Sequence, residues 1–119
     1  MAYSKYQADR IEQVFKQKGI PATGKKFMGG YCFFLDDKMC MGLDIDKQTG
    51  MDRLMARIGE EAMPSALNKK GCHLMDITGR PMKGFVFIDP EGFDLDSDLE
   101  NWVQLAVDYN PFAQKSKRK

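Results

Sequence analysis

The stretch Tyr31-Cys32-Phe33-Phe34-Leu35, Asp36-Asp37, Lys38-Met39-Cys40-Met41-Gly42-Leu43 constrains this chain most. Two short apolar runs flank two aspartates, the pattern of a β-hairpin closed by a two-residue turn. That turn pairs Leu35 with Lys38, Phe33 with Cys40 and Cys32 with Met41. Side chains alternate across a strand, so one face carries Cys32, Phe34, Met39 and Met41, and the other Tyr31, Phe33, Leu35 and Cys40. Both faces are apolar, whereas a half-exposed antiparallel sheet alternates apolar with polar. The expectation is a sheet covered on both sides, by helices on one face and by a second subunit on the other. Phe33, Phe34, Met39 and Met41 are the candidate interface residues. Cys32 and Cys40 fall on opposite faces in this register and are too badly placed to join.

The elements around the hairpin follow from periodicity. Ile11, Val14 and Phe15 form a helical stripe over about residues 6–18, capped by Ser4 with Gln7 placed to reach back, and stopped by Gly19 and Pro21. Leu54, Ala56 and Ile58 alternate with Arg53, Met55 and Arg57, a strand within Met51–Ile58. Glu60–Lys69 reads as a short helix in which Pro64 either confines the regular part to Ser65 onward or sets a first-turn position. Cys72–Met75 and Gly84–Ile88 read as strands. Ser97 and Glu100 form a capping box ahead of Leu99, Trp102, Val103 and Ala106, and Asn110-Pro111 ends that helix. The chain therefore reads as an α+β fold, an antiparallel sheet packed with N- and C-terminal helices in the order α-β-β-β-β-α-β-β-α. Residues 1–111 form one domain, and residues 112–119 a basic, disordered tail.

Bulk properties narrow the function. With 119 residues the chain fits one domain able to bury a core. Its formal net charge of +1 supplies no global field toward DNA or an anionic membrane, which argues against direct nucleic-acid binding. No run approaches the roughly 20 apolar residues of a membrane helix, and the N-terminus lacks a signal-peptide core. Three cysteines at spacings foreign to zinc sites read as reduced, buried thiols of a cytoplasmic protein.

The motifs that suggest chemistry fail on context. Gly19–Lys26 differs by one residue from a phosphate-binding loop, but Pro21 removes a donor, Lys26 replaces the hydroxyl, and a helix precedes the loop. Asp44–Gly50 opens like a calcium loop, yet Thr49 and Met55 occupy the required glycine and glutamate positions. His73 is the only histidine and faces away from Cys72 along a strand, so it reads as a partly buried structural residue. Trp102 reads as a core anchor. No catalytic, cofactor-binding or metal-ligating set emerges. The exception among charged groups is Arg80 and Lys83, in a loop stiffened by Pro81 and bracketed by Gly79 and Gly84. They are the candidate contact for an acidic partner or a phosphate.

Residues 27–43, DRLMARIG (52–59), GRPMKGFVFIDPEGF (79–93) and DLENWVQLAVDYNP (98–111) together resemble the TfoX N-terminal domain family. The resemblance implies a central antiparallel sheet, similar in shape to secretion-chaperone-like domains. The founding members are regulators of natural competence that act as coactivators through partner proteins. They add a helical C-terminal domain to which nothing in this sequence corresponds, so a stand-alone N-domain is expected. The family offers no established catalytic residues to transfer. The resulting expectation is a non-catalytic, regulatory protein-interaction module without cofactor, forming a homodimer or binding a protein partner. Weak direct DNA binding, small-molecule binding and an unknown enzymatic activity are the alternatives.

Overall fold

A computed structural model describes residues 3–27, 29–76 and 81–113. Helix α1 (Lys5–Gln17) is followed by strands β1 (Thr23–Phe27), β2 (Gly30–Leu35), β3 (Lys38–Ile45) and β4 (Asp52–Arg57). A single turn of helix, α2 (Met63–Ala66), leads to β5 (Cys72–Asp76) and β6 (Pro81–Ile88), and α3 (Asp96–Tyr109) closes the order. The six strands form one antiparallel sheet in the order β1-β2-β3-β4-β6-β5. The expected α+β class and element order are present.

The hairpin turn is as the sequence requires. Asp36 and Asp37 both take left-handed backbone angles, φ 56° and 63°. A two-residue turn of type I′ needs this at both central positions, and aspartate tolerates it. Beyond the turn the register departs from expectation. Leu35 pairs with Lys38 and Phe34 with Met39, but Phe33 then pairs with Met41 and Cys32 with Gly42. Cys40 is the surplus residue of a β-bulge, and every later side chain of β3 changes face.

Met41 therefore joins Phe33 on the helix side of the sheet. Both are core residues, 0% and 1% exposed, beside Cys40, Leu43, Leu54, Ala56, Val86 and Ile88. Helix α1 contributes Ile11, Val14 and Phe15, and α3 contributes Leu99, Trp102, Val103 and Ala106. These two stripes at helical spacing are what bury the sheet face. Trp102 is the anchor expected, 2% exposed, its indole N–H donating to the Gly92 carbonyl at 2.9 Å.

Two capping expectations are corrected. Ser4 Oγ does accept from the Gln7 amide at 3.3 Å, but the Gln7 side chain turns to Asp52 and Arg10 instead of closing the box. Helix α3 begins at Asp96 rather than after Ser97, with Leu95 at the cap and no side-chain cap bond. Asp96 is fixed there by Arg10, 2.9 Å away, whose guanidinium also donates to the Asp94 carbonyl. Arg10 of α1 thus ties the start of α3 to the first helix.

Candidate functional site: the helix-free face of the sheet

Among the described residues, no helix lies on the opposite face of the sheet. Strand alternation places Lys25 and Phe27 of β1, Cys32 and Phe34 of β2, and Met39, Gly42 and Asp44 of β3 on it. Strands β4 and β6 add Arg53, Met55, Arg57, Phe85 and Phe87, and β5 adds His73 at the edge. Met55, Met75 and Phe87 form a small buried cluster with Met39 and Phe85 packed against it. The expectation of a second apolar face is correct in kind. The face's own long cationic side chains lie over part of it.

Three cations lie across three rings. The Arg53 guanidinium sits 3.9 Å from the Phe87 centroid, Arg57 lies 5.3 Å from Phe85, and Lys25 Nζ lies 4.7 Å from Phe34. Each gains from the negative ring face while its aliphatic stem shields apolar surface from water. Phe27 meets Phe34 edge-on at 5.7 Å. The three cations differ in their counter-charges. Arg53 is held bidentate by Asp44, at 3.1 and 2.9 Å, with Asp46 3.7 Å away. The hydrogen bond to Asp44 holds the Arg53 pKa above its ordinary value despite burial. Neither Arg57 nor Lys25 has an ion-pair partner among the described residues.

Of the interface residues expected from sequence, Phe34 and Met39 lie on this face and remain half-buried. Phe33 and Met41 do not; the bulge and the helix stripes place them in the core. Lys83 is exposed within β6 rather than in a loop, just before Gly84, and Arg80 lies outside the described residues. Arg53, Arg57, Phe85 and Phe87 were not singled out. The alternation of Arg53, Met55 and Arg57 along β4 was the available signal, since period two puts all three on one face.

Among the described residues, the titratable groups do not assemble a nucleophile. His73 is half-exposed rather than partly buried, and its Nε2 meets Asp89 Oδ1 at 3.1 Å. No hydrogen bond joins His73 to a thiol or hydroxyl among the described residues. Burial pushes the Cys32 thiol up to about 11, with Asp44 adding to it. Burial raises Cys40 to about 12 and Cys72 to about 11, against small opposing effects from Arg57 and Lys69. All three are protonated near neutrality, and the thiolate is the reactive form. Elsewhere, a cleft of about 440 Å³ beside the end of α3 combines Leu105, Tyr109 and Phe112 with Glu60, Glu61 and Asp108. No group of three or more potential metal-ligating side chains occurs among the described residues. No helix among them is long and apolar enough to cross a membrane.

The profile of the TfoX N-terminal domain matches residues 15–109. The chain belongs to that family. The match runs from the end of α1 to the end of α3 and so includes all six strands. The fold is similar to a crystal structure of a protein from Pseudomonas syringae, at a TM-score of 0.56 and 14% identity, covering 77% of this chain and 89% of that one. At that identity the likeness is one of fold. No curated protein sequence matches the chain.

Proposed function

We propose that this TfoX N-domain protein is a non-catalytic regulatory module that works by binding another protein on the helix-free face of its sheet. The observation that carries the reading is the exposed Phe27 and half-buried Phe34, Met39 and Phe85, lying over buried Met55, Met75 and Phe87 on a face that no helix among the described residues covers. Thioethers and aromatic rings suit an adaptable contact surface. Two further features favour docking over bond-making: the cysteines hold their protons, and the hydrogen bond of His73 among the described residues goes to a carboxylate. Family membership agrees, because the competence regulators that this sequence resembles act through partner proteins.

The test starts from capture. Immobilised protein collects partners from a lysate of the organism that makes it, and each identified partner is purified and titrated calorimetrically. Replacing Phe34 and Met39 together by serine is expected to weaken binding at least about tenfold, the usual effect of truncating central apolar contacts. Gln13→Ala, on the exposed side of α1, is expected to leave binding unchanged. A purified partner that binds the serine variant and the wild type equally well would refute the assignment of this face.

A further inference from the structure

We infer that the partner presents an acidic, amphipathic segment to this face, with carboxylates spaced to meet Arg57 and Lys25. The inference rests on the docking reading above and names the chemistry of what docks.

The argument is one of charge accounting. Asp44, Asp46 and Asp89 lie on this side of the sheet. Asp44 and Asp46 are engaged by Arg53, and Asp89 faces His73. Arg57 and Lys25 are left over, one lying on Phe85 and the other on Phe34. Stacking engages only the flat side of a guanidinium, so the N–H groups around the Arg57 rim stay free to donate to a carboxylate. The rings beneath supply the apolar contact between the two cations.

A second copy of this chain fits less well. A two-fold pairing places the same face on both sides of the interface. Each copy would bring two cations that have no ion-pair partner among the described residues, while its Asp44 and Asp46 are already held by Arg53. Burying such charges without partners is costly. A heterologous segment carrying Asp or Glu has no such conflict. Its geometry is also bounded. Lys25 on β1 and Arg57 on β4 stand three strand intervals apart and one row out of line. That separation is about 15 Å, or about ten residues of a helix or about five of an extended strand.

The probe is a synthetic amphipathic peptide of leucine, phenylalanine and glutamate, beside the same peptide with every glutamate replaced by lysine. Amide chemical shifts and calorimetry read the binding. The glutamate peptide is expected to bind, to perturb Met39, Met55, Phe85 and Phe87, and to lose affinity as salt rises. Lys25→Gln with Arg57→Gln is expected to weaken it about tenfold, two partly exposed charge contacts removed together. Lys25→Glu, a change at an exposed position, supplies a second variant should the double one fold poorly. Equal binding of the lysine peptide, or an affinity that neither variant changes, would overturn the inference. Sedimentation equilibrium adds another arm. Self-association abolished by the Phe34 and Met39 serine variant would make a second copy the occupant and refute the acidic segment. A captured partner that depends on Phe34 and Met39, with no binding of the glutamate peptide, would likewise refute the acidic segment while leaving the docking reading intact.

Discussion

Lys38 donates its ammonium to the carbonyl of Asn110 at 3.1 Å, across seventy-two residues of sequence. Asn110 returns the contact, its side-chain amide donating to the Leu35 carbonyl at 3.1 Å. The turn of the β2–β3 hairpin is thereby tied to the end of α3. Lys38 is only 8% exposed, and its remaining counter-charge is Asp36 at 3.7 Å. Replacing Lys38 by methionine keeps much of the volume and removes the charge-assisted bond. Urea unfolding is expected to show a loss of about 1.5–3 kcal/mol. An unchanged midpoint would mean the tie contributes nothing.

Trp102 offers a similar test inside the core. Its N–H is the partner of the Gly92 carbonyl, and Gly92 is packed so closely that a Cβ would collide with the Lys70 carbonyl and an Ile88 methyl. Trp102→Phe leaves that carbonyl without its donor and opens a void. A destabilisation of about 2–4 kcal/mol is expected from the two effects together. Thermal melting checks it, and a shift of only a degree or two would contradict this account of the anchor.

Gly59 has φ +85° and faces the ring of Tyr109, so any side chain there meets both backbone strain and an aromatic edge. Gly59→Ala is expected to cost about 2 kcal/mol or more. Combined with Tyr109→Ala, the total loss should fall short of the sum of the single losses, because only one component of the penalty is steric. Strict additivity in a double-mutant cycle would remove the ring from the explanation.

The thiols set an alkaline limit. Folded-state values of about 11 for Cys32 and Cys72 and about 12 for Cys40 lie above the ordinary 9.0. The folded chain therefore holds these protons more tightly than the unfolded chain. Their contribution to stability is complete below about pH 9 and declines as pH rises toward 11–12. Unfolding free energy measured from pH 8 to 11 should fall, and fall less steeply when Cys32 and Cys72 are alanine. Equal slopes in the two proteins would show that burial does not hold these protons.

Periodicity made most of the fold legible. The stripes Ile11-Val14-Phe15 and Leu99-Trp102-Val103-Ala106 identify the covering helices, and Asp36-Asp37 identifies the turn. What periodicity hides is local irregularity. Nothing in Lys38–Leu43 marks Cys40 as surplus, since its neighbours on either side are methionines of equal apolarity. The Ser97 box matches its motif, yet α3 starts at Asp96, whose carboxylate Arg10 of α1 reaches. The candidate site was half legible. Phe34 and Met39 follow from alternation, whereas the stacking of Arg53 on Phe87 needs the neighbouring order of β4 and β6, which are not consecutive in sequence.

The surplus residue at Cys40 also decides where charge resides. Shortening β3 by that one position would invert its downstream half, sending Leu43 out toward solvent and Asp44 under the helices. The carboxylate that grips Arg53 would then turn away from it, and Arg53 would lose its principal counter-ion. A one-residue lengthening is thus what keeps an aspartate out of the interior of this protein.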